Sequence, residues 1–374
     1  MVLTLFLAQK RWTCLCQERK FDTNEQPIET CGSEGNFDSA GPGPGRIVIL
    51  KLGGSSITDK ARFETLNNTM LQWMANTVAQ ERIKQQSTKF IIVHGAGSFG
   101  HYTAKQYGLK GHNSSAEVTS NQQTCQLDKL TEGMSKTRRS VTKLNWEVVN
   151  ILLDHKIPAV GLSPFSMGLQ AYNAESPALE TNAPIRTLIQ VVYDTIQRNI
   201  IPVLHGDAVF HGTKDSGILS GDTIVSLLAR YLHAEYVGSS EEKPGLEVLY
   251  LTDVDGVYTS DPNQVSPSQI APRRIPLIEI DQMGTLFPIW NIQSSNIDDI
   301  HTQSLSATID AGSSQHGHDV TGGLKLKLEA AVEIVQHTGI PVYIVKCGSV
   351  DVEHLISGNY TIMSGTLLRR RTRH

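Results

Sequence analysis

The sequence predicts an α/β fold, with a mainly parallel central sheet and helices on both faces. Two patterns carry that expectation: short apolar runs closed by Gly, Pro or Asp recur along the chain, and helical patterns lie between them. Size supports it, because 374 residues, 39% of them hydrophobic, can bury a substantial core.

Taken in order, residues 1–45 read as a disordered leader. Residues 18 to 45 are rich in Glu, Asn, Ser, Gly and Pro and end in GPGPG, too polar to offset the entropy of ordering. Structure starts at Arg46, where IVILKLGGSS is a buried strand delivering a glycine loop. A helical pattern follows over 63–86, then the strand FIIVHGAG. The polar segment after His101 reads as a loop. The pattern over 123–156 carries Leu127, Leu130, Met134, Val141, Leu144, Val148 and Leu152 at helical spacing, a stripe that core packing explains. Further strands are PAVGLSP, IIPVLHGD, EVLYLTDVDGVY and PVYIVKCG, alternating with helices over 183–199, 221–235 and 323–338. Residues 291–319 break the rhythm: polar, Ser-rich and aperiodic, they read as a mobile surface loop. In such a sheet, ligands gather at the carboxyl ends of the strands.

Composition narrows the function classes. A formal net charge of -4 gives no general attraction to nucleic acid or an anionic membrane, and the basic tail LRRRTRH reads as a solvated end. The five scattered cysteines have no C-x-x-C pairing for zinc and suit a reducing, cytoplasmic setting. In MVLTLFLAQKRW the basic residues follow the apolar run, the reverse of a secretory signal. No apolar stretch approaches the ~20 residues of a membrane span.

The informative stretch is HGAGSFGH, residues 94–101. Its interior has the G-x-G-x-x-G spacing of a dinucleotide fingerprint, but no second strand follows to present an acidic residue to a ribose. The glycines still offer backbone N–H groups to an anion. Three more glycine loops accompany them, KLGGSS at 51–56, LSGD at 219–222 and VTGGLKLK at 320–327, and two bring lysines: Lys51, Lys60 and Lys327. Lysines beside glycine loops at helix starts are what a polyphosphate requires. Neither a Walker A loop nor the protein-kinase motif set is present.

The motifs KLGGS (51–55), HGAGSFGH (94–101), SGD (220–222), TDVDGVY (252–258) and TGGLKLK (321–327), in this order, resemble the amino acid kinase superfamily. The second histidine, His101, is similar to its isopentenyl phosphate kinase branch. The resemblance spans residues 46–374 and implies an open αβα sandwich of the amino acid kinase type, commonly a homodimer. It places the acceptor toward residues 46–205 and ATP toward 206–374. Residue by residue it implies that Lys51, Gly53, Gly54 and Ser55 hold the ATP phosphates and that Lys60 stabilises the transferring phosphoryl group. Ala96, Gly100, His101 and Gly221 fall to the acceptor side. Gly97, Asp253, Gly323 and Lys327 fall to the nucleotide side, and Asp222 orients lysines. Leu324 replaces a usual Met, and Thr223 stands where a second Asp is common.

The implied chemistry suits these residues. A phosphate monoester has a second pKa near 6, so the attacking oxygen is largely anionic and needs no general base. The obstacle is repulsion between polyanions, which Lys51, Lys60, Lys327 and Mg2+ carried by the nucleotide would relieve, with no metal ligand expected from the chain. His101 then acts as a donor to the acceptor phosphate. UMP, an acylamino acid or carbamate as acceptor, or a nucleotide-binding regulator without turnover, are the competing readings. His94 and His205 read as structural, and Asp222 could equally cap its helix.

Overall fold

The computed structural model describes residues 45–109, 120–171, 182–211, 215–237, 245–259, 272–290 and 323–372, with side chains from 128 in the second segment; all lie in the compact unit Pro42–His374. The leader before Gly45 and the 291–319 loop lie outside the described residues.

Chain order is β1 (Arg46–Leu52), α1 (Gly54–Ile57), α2 (Asn68–Lys84), β2 (Thr88–His94), α3 (Gly97–Tyr107), α4 (Ser120–Asp154), β3 (Ala159–Leu162), α5 (Ala183–Gln197), β4 (Ile201–His205), β5 (Asp207–His211), β6 (Asp215–Leu219), α6 (Gly221–Leu232), β7 (Gly245–Thr252), β8 (Val257–Tyr258), β9 (Arg274–Ile275), β10 (Leu277–Ile280), β11 (Leu286–Ile289), α7 (Gly323–Thr338), β12 (Val342–Lys346), α8 (Val350–Ile356) and β13 (Thr366–Arg370). Among the described residues, nine strands form one sheet in the order β11-β10-β13-β12-β7-β1-β2-β4-β3. Its pairings are parallel except β10 with β11 and β12 with β13, so the mainly parallel sheet expected from the sequence is present.

Alternation along the central strands builds the two faces. Ile47 and Ile49 of β1, Ile91 and Val93 of β2, and Val248 and Tyr250 of β7 pack with α5, α6 and α7. Val48 and Leu50, Phe90 and Ile92, and Leu249 and Leu251 pack with α2, α4 and α8. The result is an αβα sandwich. Leu144, Val148 and Leu152 of α4 are core residues, as the stripe predicted. Leu130 and Met134 join a smaller cluster with Ala104, Leu109 and Ala208.

One local expectation needs correction: the segment after His101 is helical to Tyr107, not a loop. Its polar composition hides a narrow buried edge, Phe99, Thr103 and Ala104, which rests on α4. Gly108, at φ +68, ends the helix by adopting the left-handed turn a glycine takes without strain.

Candidate active site

Strands β1, β2, β4 and β7 are parallel, so Leu52, His94, His205 and Thr252 end on one edge of the sheet. The loops beyond them are stitched together by backbone. Gly53 N–H donates to Leu251 O (2.8 Å), Gly95 N–H to Leu52 O (2.9 Å) and Gly206 N–H to His94 O (3.0 Å). A Cβ on Gly54 would overlap Gly97 N, and one on Gly97, at φ +50, would overlap the Thr58 hydroxyl. The first two glycine loops therefore touch backbone to backbone. Thr58 fastens them: its Oγ1 donates to Gly54 O (2.7 Å) and accepts from Ser98 N–H (2.9 Å).

Phase on β1 decides where Lys51 points. It follows Ile47 and Ile49 toward α6 and α7, where its Nζ lies 3.1 Å from Asp222 Oδ1 while Lys327 Nζ lies 3.9 Å from Oδ2. One carboxylate thus faces two ammonium groups. Lys51 is 3% exposed; burial lowers its pKa, Asp222 opposes that, and Lys327 adds to it. Gly221 makes the approach possible, since a Cβ there would lie 2.8 Å from Lys51 Cε. Asp222 does not cap α6: Ser220 does, its Oγ accepting from Asp222 N–H at 3.1 Å, which frees the carboxylate for the lysines. Helices α6 and α7 are held in register by Glu333, which accepts from Ser226 Oγ (2.7 Å) and pairs with Arg230.

Lys60 and Asp253 form a looser, half-exposed pair at 3.6 Å. Gly53 precedes α1, which contains Gly54 and Ser55; Ala96 precedes α3, which opens on Gly97 and contains Gly100 and His101. Gly323 opens α7, placing Lys327 just beyond its first turn. His101 shares a cavity of about 370 Å³ with Lys60, Ser98, Tyr102, Lys105 and Gln106. Tyr102 donates from its hydroxyl to Lys60 O (2.8 Å), joining the lysine loop to α3.

Two histidines lie beneath. His94 and His205 are buried with rings 5.7 Å apart. His94 Nδ1–H donates to Gly95 O (3.0 Å) and its Nε2 accepts from Asn145 Nδ2 (3.2 Å), which also donates to Val203 O (3.0 Å). That set fixes the neutral Nδ1–H form. Burial first, then His205, pulls its pKa down to about 3, so it stays uncharged at neutral pH. Burial likewise lowers His205 and raises the neighbouring Asp207, which lies 3.5 Å from Arg138 Nε.

Sequence reasoning singled out every residue of the Lys51–Asp222–Lys327 group, but overlooked Thr58, Gly95, Gly206, Tyr102 and Lys105. T-D-K at 58–60, one residue past the first loop, and the glycine after each strand-end histidine were the available signals.

The chain is similar to known proteins. The chain is 29% identical over 344 residues to the isopentenyl phosphate kinase of Arabidopsis thaliana, covering 83% of this chain and 90% of that protein. It is 27% identical over 288 residues to the isopentenyl phosphate kinase of Methanocaldococcus jannaschii, covering 76% and 85%. A solved isopentenyl phosphate kinase superposes with a TM-score of 0.58 at 22% identity, covering 86% of this chain and 100% of that one, and so shares the fold. The sequence pattern of the amino acid kinase family matches residues 46–346, most of the chain and all the motifs above, and the chain belongs to that family.

Proposed function

We propose that the protein phosphorylates isopentenyl monophosphate to isopentenyl diphosphate at the expense of ATP. The observation that carries this reading is His101, set with Lys60 in one cavity on the helix whose first residue, Gly97, meets Gly54 of the lysine loop. A histidine donor there suits a tetrahedral phosphate better than the flat carboxylate of an amino acid acceptor. The named relatives in Arabidopsis thaliana and Methanocaldococcus jannaschii support the same substrate.

In this reading, backbone at Gly53, Gly54 and Ser55 cradles the ATP phosphates, Lys51 holds their charge, and Gly97, Asp253, Gly323 and Lys327 border the nucleotide. Ala96, Gly100, His101 and Gly221 receive the acceptor phosphate. Residues 46–205 form the acceptor half and 206–374 the nucleotide half. An acceptor oxygen attacks the γ-phosphorus, the bond to the β–γ bridging oxygen breaks, and ADP leaves. The acceptor is already an anion, so the chain supplies no base. It supplies positive charge: Lys60 leaves Asp253 to follow the transferring group, while Asp222 keeps Lys51 and Lys327 in place. Mg2+ on the nucleotide supplies further neutralisation of the phosphate oxygens. A cytoplasmic homodimer feeding isoprenoid synthesis completes the proposal; the cysteine usage suits a reducing compartment, and no helix among the described residues is long and apolar enough to cross a membrane.

A coupled ADP-release assay with isopentenyl phosphate, dimethylallyl phosphate, UMP, N-acetylglutamate and carbamate tests the assignment. Turnover is expected with the prenyl phosphates. Turnover with UMP or N-acetylglutamate alone would remove the substrate and leave the family. ATP binding with no ADP from any acceptor would favour a regulator.

A further inference from the structure

The opposite end of the sheet holds a second group of unspent donors. A cavity of about 270 Å³ opens where β2 and β4 begin, lined by Arg82 in the last turn of α2, by Gln86 just beyond that helix, by Thr88 and Lys89 of β2, and by Asn199 and Ile201. Strand β2 runs seven residues from Thr88 to His94, which puts this cavity about 20 Å from the glycine loops.

Its walls carry two cations, and among the described residues no carboxylate lines it. Both cations are held by one uncharged residue: Arg82 Nη2 donates to Asn199 O (2.8 Å), and Lys89 Nζ donates to Asn199 Oδ1. Asn199 adopts φ +58, a left-handed conformation that asparagine tolerates better than most residues, and this turns its carbonyl and side chain toward the two partners. The pair is therefore fixed in place without being neutralised. Burial lowers the pKa of both groups, and Arg82 adds to the lowering at Lys89; no carboxylate opposes either shift.

Two polar atoms remain unsatisfied. Arg82 Nη1 and Thr88 Oγ1 are buried without a hydrogen-bond partner, and Thr88 as a whole is 4% exposed. Such atoms are rare in folded proteins and point to an ion or water that completes them. The dipoles of α2 and α5 offer a plainer explanation for part of the arrangement, since cations gather at helix C-termini. That accounts for Arg82 Nη2 reaching the carbonyl beyond α5. It leaves Nη1, the threonine hydroxyl and the like charge of Lys89 unexplained.

We infer that this cavity is a binding site for a small oxyanion of the phosphate class, held by Arg82 Nη1, Thr88 Oγ1 and Lys89 Nζ and separate from the catalytic edge. A tetrahedral oxyanion accepts from several N–H and O–H donors and supplies the missing counter-charge. The inference does not depend on which acceptor the enzyme phosphorylates.

Calorimetric titration of the full chain with inorganic phosphate tests it, in the presence of saturating ADP and again in a Lys51→Met, His101→Ala chain whose catalytic edge binds anions poorly. One bound phosphate is expected in both. Thr88→Val, which removes only the hydroxyl, should weaken it at least fivefold, and Arg82→Gln or Lys89→Met at least tenfold, with kcat unchanged at low phosphate. Methyl phosphate in place of inorganic phosphate distinguishes a phosphoester site, which binds both, from one for the free ion. No binding to the doubly substituted chain, or equal affinity in wild type, Thr88→Val and Lys89→Met, would overturn the inference. Thr88→Val and Lys89→Met keep the test decisive if loss of Arg82 disturbs folding.

Discussion

Two ion-pair groups lie at opposite ends of the same strands, and they are wired differently. At the start of β1, Arg46 spends its donors: Nε and Nη2 reach the Glu247 carboxylate at 2.7 and 2.6 Å, Nη1 reaches Ile356 O at 2.6 Å, and Nη2 also reaches Leu355 O. Tyr360 closes the group by donating its hydroxyl to Glu247. At the other end of β1, Lys51 and Lys327 share a single carboxylate, Asp222. The first group is saturated and ties β1, β7 and the segment after α8 together. The second retains positive charge. Under the proposed function the contrast separates a group built for stability from one built to receive an anion, and substitution at either end should show it.

The largest effect is expected at Lys51. Replacement by Met removes charge aimed at the transferring phosphates and should lower kcat by about 10³-fold, while thermal unfolding stays at or above the wild-type temperature because a buried charge is gone. A fall in melting temperature with modest loss of rate would make Lys51 structural and erase the contrast. Next comes Arg46→Met, which strands a mostly buried Glu247. Urea denaturation should register about 3 kcal/mol of lost stability, with kcat unaltered at temperatures where the chain stays folded. Loss of activity in proportion would mean that the two ends are not independent.

His101→Ala sharpens the catalytic end. The acceptor KM should rise about 30-fold, the loss of one charge-assisted hydrogen bond, with the ATP KM nearly constant. Equal changes in both would recast His101 as a packing residue. The smallest effect is a slope. His94 titrates near 3 in the folded chain against an ordinary value of 6.5, so the unfolded chain takes up a proton first as pH falls. Its contribution is intact above pH 6.5 and declines toward pH 3 by at most about 1.4 kcal/mol per pH unit. In His94→Asn that share of the acid slope should vanish, and the activity profile between pH 6 and 9 should keep its shape. Loss of one limb of that profile would instead identify His94 as a titrating participant.

Much of this was legible from short-range pattern. Apolar runs closed by Gly, Pro or Asp marked β1, β2, β3, β4, β7 and β12, and periodicity marked α2, α4, α5, α6 and α7 close to their observed bounds. The lysines and Asp222 were legible as motif members. Their meeting was not, because it depends on the side-chain phase along β1 and on α6 packing against α7. Helix α3 escaped notice because Tyr, Thr, Lys and Gln leave no broad apolar stripe; α4 stabilises it from outside. Strands β10, β11 and β13 and the β5–β6 hairpin were missed because their runs are short and gain meaning only once paired, locally in β5–β6 and β10–β11 and across the chain in β10–β13. Ser220 took the capping role that seemed available to Asp222, two residues earlier.

The glycine contacts also limit how the enzyme can change. At positions 54 and 97 a single added carbon would drive two backbones apart. An alanine at either site would act as a wedge that opens the anion cradle while leaving every charged group chemically intact. Inactivation at these positions would register as lost geometry alone, making Gly54→Ala a chemically silent control for every lysine substitution around it.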